Sequence, residues 1–339
     1  MWEHGDMRKH VPNNMQPEPL VLPAGIKACS GIAIETPGRR HIESPHPVLR
    51  VGYSLGVWSW DKIDLLNARS LPERCYVFVN DYDHTVKPRP DIDKRILRHF
   101  GVPDFVGNNT VCSHMYGYFG CKETNDQDGD LKSYSSWFRT SIHIMEWIPD
   151  SSFASSRYEF TFFTRWDSPR HYRILCLGAD IRSALLPHLQ KSLEISPPNP
   201  TNPYAVHIPI IERLVRLHAD SVASIYRTIR GIHGSMTRSF EQIEQVSGYV
   251  ANTSGNLAAT LETLEKIQEQ QRLIHGRLRA NRVERTSLEL DQDYLDFQIQ
   301  VIRHLVRRSN SFQTDIRTRA TRVRISVVLI FPSLRPGIL

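Results

Sequence analysis

The chain has 339 residues, a formal net charge of +6, 40% hydrophobic and 23% charged residues, the proportions of an ordinary water-soluble protein. That length allows two modest domains with a real core, and no window approaches the ~18–20 apolar residues of a complete transmembrane helix. Five scattered cysteines, Cys29, Cys75, Cys112, Cys121 and Cys176, read as reduced cytosolic thiols and not as a disulfide framework. Met1 to Leu20 lacks the apolar stretch of a secretory signal.

Residues 1–50 are rich in Pro, His, Asn and Glu and read as mostly disordered, with at most a short strand at Gly31–Ile34. Residues 51–195 read as a mixed α/β domain. Cys75 to Val79 is a short β-rich run. Asp91 to Phe100 carries Ile92, Ile96, Leu97 and Phe100 at helical spacing, and Gly101 with Pro103 ends it. Tyr134–Trp147 and Tyr158–Trp166 are rich in aromatic and β-branched residues, as strands are. Tyr172–Leu177 follows a turn at Asp167-Ser168-Pro169, which predicts a hairpin. A helix from about Ile181 to Leu193 closes the domain, and residues 196–202 form a stiff Pro-rich linker.

Residues 203–326 predict long helices. Asn202 is a cap for the first, with Pro203 in its first turn. Ile211, Val215, His218, Val222, Ile225, Ile229 and Ile232 alternate by four and three, a heptad seam that stops at His233-Gly234. Ser239 with Gln242 predicts a second helix start, followed by Leu257, Leu261, Leu264, Ile267, Ile274 and Leu278. Thr286 with Glu289 opens a third helix, carrying Leu288, Leu295, Ile299, Ile302 and Val306. Its end is strongly basic. Between Ile299 and Ser326 stand seven arginines, Arg303, Arg307, Arg308, Arg317, Arg319, Arg322 and Arg324, and one acid, Asp315. An apolar tail follows at 327–339, interrupted by Pro332. Basic residues beside an apolar segment fit the cytoplasmic face of an anionic membrane; a solvated helix face and a phosphate-binding stripe are the other readings of the charge.

Motifs with chemical meaning are few. Gly52-Tyr53-Ser54-Leu55-Gly56 matches a hydrolase nucleophile elbow, but the strands and oxyanion loop that chemistry needs have no room upstream. Asp126-Gln127-Asp128-Gly129-Asp130 has part of a calcium-loop pattern, yet Thr124 and Ser135 stand where the first and last ligands belong. A hairpin turn accounts for it better. Cys112, His114 and Cys121 fit no common zinc spacing. The acidic group Asp81, Asp83, Asp91 and Asp93 reads as turn and cap residues. His218 reads as a core histidine. No catalytic or cofactor-binding residue is assigned, no enzyme activity is expected, and any metal ligands stay unassigned.

Several blocks, in order, give the chain a family resemblance. They are Phe100-Gly101-Val102-Pro103, Gly117-Tyr118-Phe119-Gly120-Cys121, Ser133-Tyr134-Ser135-Ser136-Trp137, and Tyr158–Trp166 with Ile174-Leu175-Cys176. The helical half adds Ile210-Ile211-Glu212, Leu261-Glu262-Thr263-Leu264-Glu265, Asp296-Phe297-Gln298 and Arg307-Arg308-Ser309-Asn310. Over about residues 95–325 the chain resembles the fungal proteins with a CorA-like magnesium-transporter domain. The resemblance implies an α+β chain: a mixed α/β cytosolic domain, then long antiparallel helices of a stalk that would continue into the first of two membrane spans. In that family a Gly-Met-Asn motif forms the ion entry. This sequence contains none, so no pore residue is carried over, and the ending reads as a family member cut short before its spans.

The expectations are these. The chain is the cytosolic domain of a CorA-like Mg2+ transporter, not conducting by itself, cytoplasmic as given and membrane-bound if its frame continues. Regulatory Mg2+ enters by resemblance alone. Partners are further copies, through the long helices, and an anionic membrane surface, through the seven arginines; nucleic acid is not expected. The alternatives are a soluble coiled-coil interaction or scaffold protein, and a hydrolase using Ser54.

Overall fold

A seven-stranded sheet, ordered β2-β1-β3-β7-β6-β5-β4, lies against three long helices. The structure, a computed structural model, describes residues 46–51, 58–63, 73–79, 94–103, 116–146, 154–168, 171–178, 180–231, 236–280 and 285–330. The strands are β1 (His46–Val51), β2 (Trp58–Ile63), β3 (Arg74–Val79), β4 (Phe119–Asn125), β5 (Leu131–Glu146), β6 (Ala154–Asp167) and β7 (His171–Leu177). The helices are α1 (Lys94–His99), α2 (Ile181–Ile195), α3 (Ile208–Gly231), α4 (Met236–Ala280) and α5 (Arg285–Ile330). The chain is α+β.

Pairing is antiparallel except between β3 and β7, where Arg74 sits opposite Tyr172 and Val79 opposite Leu177. The predicted β6–β7 hairpin is present, in register from Asp167↔His171 to Thr161↔Leu177. Every residue of β5 from Tyr134 to Ile142 is buried, which explains why this strand shows no polar–apolar alternation: both faces of the sheet are covered. One face carries Tyr134, Phe138 and Ile142 of β5 and Phe160 and Phe162 of β6 into a core with Leu185 and Leu189 of α2, Ile210, Ile211 and Leu214 of α3, Leu264 and Ile267 of α4, and Ile299 and Ile302 of α5. The other face meets the end of α1, where Gly101, at φ 66°, sits against Ser135. A side chain at Gly101 would be strained and would strike the Ser135 hydroxyl.

Gly120 of β4 is fixed for a different reason. The indole of Trp137, paired opposite it on β5, occupies the space where a Cβ would stand. Two of the sequence blocks, Gly117–Cys121 and Ser133–Trp137, therefore interlock. Gly117, at φ 78°, approaches Ala259 of α4, and Lys266 of α4 donates to its carbonyl at 3.2 Å. That contact brings in the block beginning at Leu261.

Three expectations need correction. The sheet begins at His46, inside the segment read as disordered to residue 50. Residues 196–202 do not separate two independent domains, because sheet and long helices share one core and residues 44–339 cluster as one unit; the Trp166 indole holds the carbonyl of Pro200 at 2.7 Å. Asn202 is the cap expected: fully buried, its Oδ1 accepts from the Tyr204 N–H at 3.0 Å and its carbonyl from the Ala205 N–H at 3.2 Å, at the head of a 3-10 turn, Ala205–His207, that runs directly into α3 at Ile208,. Ser239 lies inside α4, which begins three residues earlier at Met236; a capping pattern within a longer amphipathic helix is outweighed by packing of its apolar face. Gly31–Ile34, Ser54, Asp81, Asp83, Asp91, Asp93, Cys112, His114 and Ile232–Gly234 lie outside the described residues.

Candidate functional site: a helical stalk ringed by arginine

The heptad seam is the spine of the site. Ile211, Val215, His218, Val222, Ile225 and Ile229 are all buried along α3. Toward the end of α3 the packing changes partners. Ile225 and Ile229 join Ile243, Val246 and Val250 of α4, Ile316 of α5 and Met145 at the end of β5 in a second cluster. The three helices thus keep packing to the edge of the sheet and beyond its aromatic core.

Polar groups stitch sheet to helices inside this core. His218 Nε2 lies 2.9 Å from Thr260 Oγ1, which lies 3.1 Å from Thr140 Oγ1, so α3, α4 and β5 meet on one hydroxyl. His207 Nε2 lies 2.9 Å from Ser136 Oγ. Burial pushes both imidazoles down, His207 to about 4 and His218 to about 3, and keeps them neutral. Ser224 Oγ accepts from the Met145 N–H at 3.2 Å, and the Ser254 and Ser309 hydroxyls meet at 2.7 Å between α4 and α5. His218 is a core histidine, as its place in the seam predicted.

α5 changes character along its length. Its 46 residues span about 70 Å at ~1.5 Å per residue. Ile302, Leu305, Ser309 and Ile316 are buried on one side, and the arginines take the remaining circumference. Arg303 is tied to Glu265 of α4 at 2.7 Å. Arg308 lies over the rings of Tyr226 and Phe312, at 5.7 and 5.6 Å from their centroids. Arg319 pairs with Asp315 at 3.2 Å. Arg307 and Arg317 are exposed and bind no described side chain. Arg322 is exposed; the side chain of Arg324 is outside the described set. The described arginines therefore have two jobs: Arg303, Arg308 and Arg319 brace the helices, Arg319 by donating to the Ile229 carbonyl of α3 at 3.5 Å, while Arg307, Arg317 and Arg322 are exposed. The helix also runs on through Val327 to Ile330, into the stretch read as a tail. Among the described residues no helix is long and apolar enough to cross a membrane.

The Asp126–Asp130 stretch is a hairpin loop between β4 and β5. Asp126 Oδ1 accepts from the N–H groups of Asp128 and Asp130 at 3.0 and 2.8 Å, and Gly129 turns the chain at φ 88°. Cys121 is half-buried beside Tyr134, and burial raises its thiol. Among the described residues, no group of three or more His, Cys, Asp or Glu is placed to share a metal ion.

One feature was invisible in the sequence. A cavity of about 580 Å³ opens between α2, the 196–199 segment, the start of α3 and the start of α5. His188, Glu212, Asp291 and Tyr294 line it with Ile195, Ile208 and Leu290. These residues are separated by up to about a hundred positions in the chain, and no spacing rule links them.

No family model matches the chain, and no curated protein matches it. Among solved structures it is similar to the crystal structure of the ZntB cytoplasmic domain from Vibrio parahaemolyticus RIMD 2210633, with a TM-score of 0.46 and 9% sequence identity over 82% of this chain and 99% of that one.

Proposed function

We propose that this chain is the cytosolic part of a CorA-like divalent-metal-ion transporter, with Mg2+ as the ion: an α/β domain on a helical stalk whose last helix is directed at an anionic bilayer. The observation that carries the reading is α5, braced against α3 and α4 over its first part and ringed by arginine over its second, with Asp315 as the one acid between Ile299 and Ser326. Cations near such a surface each contribute on the order of 1 kcal/mol of attraction to anionic lipid. The sequence blocks support the same reading; within them Gly101 and Gly117 hold positive φ and Gly120 stands against the Trp137 indole. Conduction is assigned to no residue of this chain. Reading the transcript past the Leu339 codon tests the proposal. The expected frame continues into two apolar spans of roughly 20 residues each; a stop there would remove the transport role.

A second reading, a helical interaction protein, has one observation in its favour. Leu290 and Phe297, one heptad apart on α5, are 68% and 62% exposed. Large apolar residues at that spacing suit a further helix. Light scattering tests it: self-association that disappears in Phe297→Ser supports the reading, and a strict monomer with no partner removes it.

A further inference from the structure

The cavity at the start of α5 has an uneven arrangement of charge. On the α3 side, Glu212 is well served. Arg216 donates to its Oε1 at 2.6 Å, the Tyr294 hydroxyl bonds to it, and His188 Nε2 stands 3.4 Å from Oε2. On the α5 side, Asp291 is served by a neutral amide alone: Asn202 Nδ2 donates to Oδ2 at 2.5 Å, and no described cation pairs with the carboxylate. Asn202 is itself immobilised, fully buried, with its Oδ1 shared between the Tyr204 N–H at 3.0 Å and His275 Nε2 at 3.3 Å. Asp291 is thus a fixed, partly desolvated carboxylate on a cavity wall, and burial raises its carboxyl above the ordinary range. A carboxylate in that state gains most from a cation that arrives with its own donors.

The rest of the wall says which cation. Ile195 and Leu290 stand 76% and 68% exposed at the cavity, with Ile208, Pro198 and Pro209 beside them. A hydrated metal ion finds no use for such surface, and a hard divalent ion takes six or more oxygens, whereas the cavity offers two carboxylates, of which Glu212 is already held by Arg216 and only Asp291 lacks a described cation. Lys191 and Arg216 also line the cavity and disfavour a ligand with several positive charges. The volume of about 580 Å³ lies within the ~300–1,000 Å³ range of small-molecule sites.

We propose that this cavity binds a small organic monoammonium ion with an apolar body, its charge against Asp291 and its carbon chain on Ile195, Ile208 and Leu290. Asn202 is the positioning residue that holds the carboxylate toward the cavity. The proposal is independent of the transport reading.

The test is calorimetric titration of the whole chain with n-hexylamine, n-hexanol and MgCl2 at neutral pH, with thermal unfolding as a second readout. Hexylammonium is expected to bind and to raise the unfolding midpoint, and hexanol to bind more weakly. Asp291→Asn keeps the shape and the amide contact and is expected to weaken hexylammonium binding about 10- to 100-fold, the range for a charge-assisted hydrogen bond. Leu290→Ser, at an exposed position that cannot unfold the core, is expected to weaken it several-fold. Equal binding of hexanol and hexylammonium, or affinity unchanged in Asp291→Asn, would overturn the proposal. So would Mg2+ binding that depends on Asp291 while hexylammonium does not bind.

Discussion

His218 Nε2 and Thr260 Oγ1 lie 2.9 Å apart in the fully buried space between α3 and α4. A protonated imidazole there would be a buried cation with no counter-charge. Both His218, at about 3, and His207, at about 4, titrate well below the ~6.5 of an exposed histidine,. The folded form of each binds its proton less readily than the unfolded form does. Their contribution is therefore fully present above about pH 6.5 and is lost as pH falls toward 4 and 3, by about 1.4 kcal/mol per unit for each group. Urea unfolding at pH 7 and pH 5 checks this. The wild type is expected to lose stability between the two, and His218→Gln to lose less.

Much of the helical half could be read from the sequence, because burial on a helix leaves a period of three and four. The seam from Ile211 to Ile229 needed no tertiary information. β5 was visible by composition, but burial on both faces erased the alternation that would have told which residues face the helices. Asn202 was legible as a cap, and its Oδ1 accepts from the Tyr204 N–H; that the same side chain also meets His275 and Asp291, both far along the chain, was not legible. The arginine ring was legible as charge, and its division into bracing and outward-facing members was not, because Arg303 and Arg308 find partners on other helices.

Gly120→Ala tests the interlock of the two glycine- and tryptophan-bearing blocks. The new methyl would enter the space held by the Trp137 indole, which is 3% exposed and cannot swing into solvent. Overpacking of this kind costs about 1–3 kcal/mol. A urea midpoint lowered to that extent is expected; an unchanged midpoint would show that the strand pair relaxes.

Arg139 and Glu159 form a buried pair at 2.7 Å, with the Tyr116 ring 4.6 Å from the guanidinium carbon. Glu159 is also held by the exposed Arg157, so Arg139→Met leaves the carboxylate a cation, whereas Glu159→Met removes the carboxylate that faces the buried Arg139 guanidinium. Glu159→Met is expected to cost about 3–5 kcal/mol, and Arg139→Met with Glu159→Met to recover most of it, since a buried pair contributes little over an apolar one. Chemical denaturation of the two variants distinguishes this from a pair that stabilises outright.

Arg307 and Arg317 are the cleanest probes of the outward-facing ring, because neither binds a described side chain. Vesicle sedimentation of the wild-type chain should show binding to phosphatidylserine vesicles that weakens with salt. Replacing both arginines with Gln is expected to weaken it roughly 30-fold, at about 1 kcal/mol each. Arg308→Gln should instead lower stability, through loss of its contacts with Tyr226 and Phe312.

The transport reading stands or falls on metal content. Elemental analysis of cells with the intact gene, without it, and with it restored measures that directly. Loss of the gene is expected to lower cellular uptake of Mg2+, and restoration to return it. Uptake of Mg2+ and of the other divalent ions Zn2+, Mn2+ and Co2+ that stayed unchanged across all three would contradict the account.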